Sequence, residues 1–243
     1  MKTKLLPVIA LAALLAARLH AADTTLNELS AAEKKASWKL LFDGKSTAGW
    51  RSFKKTTFPD KGWEVQDGLL HKIPKAGGGD IITDATFENF DLRWEWKVAP
   101  GANSGLKYFI TEERNAALGH EYQLIDDERH EDAKKAAGKR VTASFYDVLK
   151  PTGTKPKPAG EWNQSRVLVQ GNRVEHWLNG DIVLEYELGS DALKAAVAQS
   201  KFKNVEGFGT RVQCHILLQD HGDEIWFRSI RILELKPPGK KQK

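Results

Sequence analysis

The segment His215-Ile216-Leu217-Leu218-Gln219-Asp220-His221-Gly222 sets two imidazoles and an amide at alternating positions. Successive side chains of an extended strand point to opposite faces, so His215, Leu217, Gln219 and His221 share one face and Ile216, Leu218 and Asp220 the other. A strand that only filled a core would turn apolar groups inward. This one carries on one face groups that cost free energy to bury unless something binds them. Three more polar clusters accompany it. In Asn103-Ser104-Gly105-Leu106-Lys107-Tyr108 the Asn and Gly suit a tight strand entry, and Lys107 follows where a strand holds its side chain fixed. In Glu121-Tyr122-Gln123-Leu124-Ile125-Asp126, Glu121 and Gln123 share a face opposite Tyr122 and Leu124. Glu175-His176-Trp177-Leu178-Asn179-Gly180 runs into an Asn-Gly turn, with His176 and Trp177 on opposite faces, one inside and one outside.

What binds these groups could be a substrate. The spacing of Glu121, Gln123 and Asp126 is similar to the Glu-x-Asp-x-x-Glu signature of laminarinase-like glucanases, with an amide in place of the middle acid. A retaining glycosidase needs two carboxyls about 5 Å apart, so the change puts that mechanism in doubt. Asp126, Asp127, His130 and Asp132 form an oxygen-rich loop with one imidazole. Asp126, Asp127 and His130 are its candidate ligands for a divalent cation, calcium, magnesium or manganese. The plainer reading of that loop is a solvated acidic turn. Of eight tryptophans, Trp94 and Trp96 belong to a core, whereas Trp162 and Trp177 are candidates to stack on sugar rings.

The elements that must position these groups are mostly strands. Residues 90–98 alternate Leu92, Trp94, Trp96 and Val98 against Arg93, Glu95 and Lys97. Further strands are expected at 38–42, 63–65, 69–71, 105–110, 120–125, 144–149, 166–170, 173–178, 181–186, 215–219 and 224–235. Turns at Asp67-Gly68, Gly171-Asn172 and Asn179-Gly180 join several of them. One helix is expected over 191–199 behind the N-cap Ser190, with short helical turns at 31–36 and 132–137. Many short alternating strands with long connections predict an all-β protein, an antiparallel jelly-roll sandwich, with a barrel as the weaker alternative.

Residues 1–22 read as a signal peptide: Lys2 and Lys4, an apolar run over 5–17, then Ala21 and Ala22 at a cleavage site. A periplasmic or secreted protein is therefore expected, with no stable membrane insertion. An N-terminal segment (23–36), a single β domain (37–235) and a disordered basic tail (236–243) follow. The formal net charge of +5 rests on the two ends. Without Lys2, Lys4 and Arg18, and without Lys236, Lys240, Lys241 and Lys243, the body carries −2, which is not a nucleic-acid-binding footprint. Cys214 is the only cysteine, so no intramolecular disulfide exists, and its strand neighbours favour a buried apolar role.

With these residues in view, the chain resembles the 3-keto-disaccharide hydrolase domain family. The matching pieces are 103–109, 121–127, His130 with Asp132-Ala133, 144–147, 160–163, 175–180 and 216–222 through Phe227-Arg228, in the family's order. Small departures are Ser229, Glu131 and Cys214, where the family more often has Asn, Pro and Gly. The resemblance implies a concanavalin A-like sandwich acting on 3-keto-glycosides, carbohydrates already oxidised at carbon 3 by a separate sugar 3-dehydrogenase. A ketone there acidifies the hydrogen on carbon 2, so a base can start an elimination that expels the aglycone, and hydration completes hydrolysis. On this reading Glu121 or His221 is the base. Lys107, with Gln123 and a bound cation if there is one, stabilises the enediolate. His176 serves as acid or sugar contact, and Gln219, Tyr146, Trp162 and Asn103 bind substrate. The competing expectations are a non-catalytic carbohydrate-binding module and an ordinary glycoside hydrolase.

Overall fold

The structure, a computed structural model, describes residues 26–237. The signal peptide read at 1–22 and the end of the tail (238–243) lie outside the described residues. Among the described residues thirteen strands form two antiparallel sheets. In chain order they are β1 (Lys39–Leu40), β2 (Trp50–Ser52), β3 (Trp63–Gln66), β4 (Leu69–Lys72), β5 (Ile81–Thr83), β6 (Phe90–Val98) and β7 (Asn103–Ile110), then β8 (His120–Ile125), β9 (Asn163–Gln170), β10 (Arg173–Leu178), β11 (Asp181–Glu187), β12 (His215–Leu218) and β13 (Ile225–Glu234). The larger sheet runs β11-β10-β9-β6-β13-β4-β3, with β1 also paired to β13; the smaller runs β2-β5-β12-β7-β8. This is the predicted jelly-roll sandwich rather than a barrel.

Alternation explains the layers. Leu92, Trp94 and Trp96 of β6 meet Leu106, Tyr108, Tyr122, Leu124, Ile216 and Leu218 of the smaller sheet in one core. The hairpin between β10 and β11 closes on Asn179 and Gly180, both with positive φ (50° and 99°), the turn geometry that matches strand twist. The helices stand where capping residues announce them: α1 (Ala31–Lys35) behind Ser30 in a capping box with Glu33, and α2 (Asp191–Ala198) behind Ser190. Among the described residues no helix is long and apolar enough to cross a membrane.

One expected strand is corrected, two short strands were not anticipated, and the helical turn expected at 132–137 is present as 3₁₀ turns. Residues 144–149 are not a strand: Ala143 and Asp147 take positive φ (65° and 63°), and only the bridges Tyr122↔Phe145 and Phe145↔Leu149 remain. Strands β2 and β5, only three residues each, show too little alternation to be read. Residues 131–138 form two 3₁₀ turns, Glu131–Lys134 and Ala136–Gly138.

The core holds a polar thread that ties the sheets together, and its polarity can be deduced. The Ala143 carbonyl can only accept, so His176 Nδ1–H donates to it at 2.9 Å. His176 Nε2 accepts from the Tyr108 hydroxyl at 2.6 Å, which accepts from the Tyr186 hydroxyl at 2.7 Å. Tyr186 in turn accepts from His120 Nδ1–H at 2.7 Å. His120 Nε2 is left a buried bare acceptor with no hydrogen-bond partner among the described residues. Burial drives His120 well below the usual imidazole range and brings His176 down to about 4, so both rings are neutral, as this donor order requires.

Candidate active site

On the outer face of the smaller sheet, where β12, β7 and β8 lie side by side, a cavity of about 130 Å³ opens. Its floor and sides are Asn103, Lys107, Glu121, Gln219 and His221; Tyr146, Lys201 and Phe202 close it from the loops, and Ala117, Leu118 and Gly119 form an apolar wall. Lys107, Glu121 and His221 come from three separated segments and all line this cavity.

Strand register does the positioning. Lys107 of β7 pairs with Glu121 of β8, and Gly105 with Gln123. Both side chains are nearly buried, and Lys107 Nζ lies 3.5 Å from Glu121 Oε2. Gly105 makes the space for the carboxylate, since a Cβ there would sit 2.7 Å from Glu121 Oε1. Burial pushes the Glu121 carboxyl up from its ordinary range, while the Lys107 ammonium, and less strongly Lys201, pull it back. Gln219 anchors its backbone N–H on the Gly105 carbonyl at 3.0 Å, and its buried Oε1 has no hydrogen-bond partner among the described residues.

A braced loop holds the far wall. The Tyr146 hydroxyl donates to Asp132 at 2.7 Å, Arg140 donates to Asp132 and to Asp147, and Asp147 accepts the Lys201 backbone N–H at 2.7 Å. The Lys201 ammonium lies 4.1 Å from the centre of the Tyr146 ring. Burial and the Asp132 carboxylate push the Tyr146 phenol well above its usual range. Its proton is engaged, so toward the cavity it can only accept. Burial lowers Lys201, and Glu121 raises it.

Several sequence-predicted residues lie elsewhere. His176 points inward from β10, fully buried in the inter-sheet thread, and touches no substrate space. Trp162 lies under the Arg228 guanidinium, 3.9 Å from its ring centre, and does not line the cavity. Gln123 is fully buried below the floor, 3.1 Å from Asn103. Cys214 is buried, and its thiol is pushed up to about 12 by that burial, which removes any nucleophilic role.

Asp126, Asp127 and His130 do not gather into one ligand set: among the described residues their ligand atoms are not all within 4.8 Å of one another. Asp126 accepts backbone N–H groups of Gly101, Glu128 and Arg129, and Asp127 accepts that of Thr142. These carboxylates pin loops. A different trio, His130, His221 and Asp223, places one ligand atom each within 4.8 Å of one another. However, His130 Nδ1 accepts the Asp132 backbone N–H at 3.0 Å, which puts the proton of the neutral ring on Nε2. While that hydrogen bond is kept, neither nitrogen of His130 is free to ligate.

A sequence model of the family described as the 3-keto-alpha-glucoside-1,2-lyase-like domain matches residues 37–233. The chain belongs to this family. A relative, the 3-keto-disaccharide hydrolase of Bacteroides thetaiotaomicron, is 35% identical over 229 residues, covering 79% of this chain and 76% of the relative. The solved structure of a candidate glycosyl hydrolase from Parabacteroides distasonis ATCC 8503 matches with TM-score 0.79 at 31% identity, over 87% of this chain and 100% of that one. A second from the same organism matches with TM-score 0.62 at 27% identity, over 82% and 99%.

One residue that lines this family member's cavity, Lys201, and one acid that acts on its charges without lining it, Asp80, escaped sequence reasoning. Lys201 sits in an irregular segment after α2, where no periodicity marks a functional face. Asp80 follows three glycines and precedes β5; its carboxylate accepts the Asp220 N–H at 2.8 Å. Burial raises it, with Lys107 pulling it down. The glycine run was the available signal, because it lets the chain bring an acid close to a sheet edge.

Proposed function

We propose that this chain cleaves 3-keto-glycosides by elimination and hydration. The observation that carries the reading is the single carboxylate, Glu121, set between Lys107 and Lys201 in a cavity the size of one sugar ring. Two ammonium groups act on Glu121 more strongly than the Asp80 carboxylate does. That is a poor arrangement for paired-carboxyl glycoside hydrolysis and a good one for making and holding an enediolate.

Glu121, more basic than an ordinary carboxylate through burial, takes the carbon-2 proton. The electron pair forms the enediolate, whose carbon-3 oxygen faces Lys107 and Lys201. The bond from carbon 1 to the aglycone oxygen then breaks, with His221 protonating the leaving oxygen. Water adds at carbon 1 of the unsaturated keto sugar and carbon 2 regains a proton. The unpartnered Gln219 Oε1 is suited to a sugar hydroxyl donor, and Asn103 and Tyr146 offer further contacts. The name of the relative, a 3-keto-disaccharide hydrolase, supports the same substrate class. A carbohydrate-binding module does not call for a buried Lys107–Glu121 pair with a second ammonium, Lys201, at its rim.

On this reading the substrate comes from an enzyme class that oxidises the carbon-3 hydroxyl, a sugar 3-dehydrogenase, and the leader expected at 1–22 supports export to the periplasm or beyond. The test is release of p-nitrophenol from its 3-keto-glucoside and from the unoxidised glucoside. Turnover of the oxidised compound alone is expected, and Glu121→Gln lowers it by about 10³-fold. Equal cleavage of both compounds would overturn the proposal.

A further inference from the structure

Glu121 and His221 are joined by two buried amides. The Gln123 side chain touches both Glu121 and Asn103, and Asn103 touches His221 Nε2 at 3.5 Å, the longest link. An amide can present oxygen or nitrogen to each neighbour, so this chain has two polarities. In one, the Gln123 nitrogen donates to Glu121 Oε1 at 2.9 Å and to the Ser104 carbonyl at 3.2 Å, and its oxygen faces Asn103 at 3.1 Å, where it accepts a bond once the Asn103 amide is turned over too and presents its nitrogen. The Asn103 oxygen then faces His221 and asks for a proton on Nε2. In the other, Gln123 donates to the Asn103 oxygen at 3.1 Å, and the Asn103 nitrogen faces a bare His221 Nε2. The Gln123 oxygen then lies against Glu121, which satisfies it only if Glu121 carries a proton.

We propose that Gln123 and Asn103 form an amide relay that couples the protonation of Glu121 to that of His221 Nε2. An ionised Glu121 selects the first polarity and a protonated His221 Nε2; a protonated Glu121 selects the second and a bare one. The Ser104 carbonyl favours the first as the resting state. Both amides are buried, Gln123 fully and Asn103 to 3% exposure, so no water competes for their bonds.

For its chemical use this inference rests on the elimination reading. When Glu121 takes the carbon-2 proton, the C–H bond breaks, an O–H forms and the pair moves into the enediolate. Reversal of the relay withdraws the acceptor that held His221 Nε2–H. The ring that does this is the imidazolium, whose Nδ1–H faces Asp223 Oδ2 at 3.8 Å; its Nε2 proton passes to the aglycone oxygen as the carbon-1 bond breaks and a neutral ring remains. Hydration runs the relay backwards: water oxygen bonds to carbon 1, a water proton returns to His221 Nε2, and Glu121 returns a proton to carbon 2. Protein charge is unchanged over the cycle.

Other charges also face these groups. Asp223 Oδ2 lies 3.8 Å from His221 Nδ1, and the His130 ring stands edge-on with centres 6.1 Å apart. Lys107, Lys201 and Asp80 act on Glu121. Direct coulombic coupling must therefore be separated from the relay.

Imidazole ¹⁵N resonances of the full chain, with His221 assigned by its absence in His221→Gln, are followed against pH together with the Glu121 side-chain ¹³C signal. In the wild type His221 Nε2 should show a step at the pH where Glu121 titrates. Gln123→Met and Asn103→Leu, near-isosteric variants checked for native amide spectra, should lose that step while both groups still titrate. Either variant suffices if the other misfolds. Persistence of the step in a folded variant overturns the relay, since charge alone would then carry the coupling. This readout needs no substrate, so it stands apart from the reaction class. With substrate, the relay variants should lose about 100-fold more on an alkyl aglycone than on p-nitrophenol, which needs little acid assistance. Equal losses would mark the amides as structural only.

Discussion

The Nζ of Lys107 and the Oε2 of Glu121 lie 3.5 Å apart across two paired strands, both side chains nearly buried. The pair opposes two effects: burial makes the carboxylate a stronger base, and the ammonium keeps it ionisable. Removing either partner strands a buried charge, so function and fold stability meet in this contact.

That opposition sets a pH dependence. A catalytic base must be ionised, and burial lifts the Glu121 carboxyl above the ordinary range. The acidic limb of kcat/KM should therefore lie at higher pH than a free carboxylate would give. Because Lys107 lowers the Glu121 pKa, Lys107→Met should move the limb further up, and Lys201→Met should move it the same way by less. A pH–rate profile of the three proteins checks this, and a limb that Lys107→Met leaves in place would count against Glu121 as the base.

Gly105 is the second handle. A Cβ there would lie 2.7 Å from Glu121 Oε1 and 2.9 Å from Cγ and Cδ, so Gly105→Ala must displace the carboxylate. The expected loss is about 100-fold in kcat/KM, the scale of a 1 Å misplacement, with a native circular dichroism spectrum. Wild-type turnover from Gly105→Ala would mean that the Glu121 position is not critical.

The core thread predicts acid sensitivity. His176 is neutral when folded, with a pKa near 4 against 6.5 for the free group. The unfolded chain therefore binds the extra proton as pH falls below 6.5, and stability declines from there toward pH 4. The difference corresponds to roughly 3 kcal/mol for His176 alone, and His120 acts in the same direction. Urea unfolding at pH 7.5 and 4.5 should show the decline. In His176→Gln the pH dependence should shrink while kcat changes little, because this ring is not at the cavity.

Metal removal is expected to be silent. The oxygens of Asp126 and Asp127 hold backbone N–H groups, and His130 has neither nitrogen free while its hydrogen bond to the Asp132 N–H is kept. Dialysis against EDTA should leave turnover unchanged. Loss of activity that returns with one added cation would refute the donor assignment.

The alternation of β12, β7 and β8 was legible in the sequence, because period-two patterning fixes which side chains share a face. It put Glu121 with Gln123, and Gln219 with His221, before any coordinates. Alternation does not say which face is the core when both carry plausible groups. His176 and Trp177 were therefore undecided, and the imidazole proved to be the inner one, satisfied by Tyr108 and the Ala143 carbonyl. Run 144–149 looked like a strand, but positive φ at Ala143 and Asp147 folds it into the loop that carries Tyr146. Lys201 belongs to an irregular segment, and its backbone N–H is fixed by the Asp147 carboxylate, a long-range contact without local pattern. Asp126 and Asp127 have the composition of a cation loop, and only three-dimensional placement reveals the amides they hold.

The most direct measurement is deuterium incorporation at carbon 2 of a 3-keto-glucoside turned over in D₂O. With Glu121 as base, the sugar product should carry deuterium at that carbon, and Glu121→Gln should abolish both incorporation and cleavage. Cleavage by the wild type with the carbon-2 hydrogen fully retained would contradict proton abstraction there.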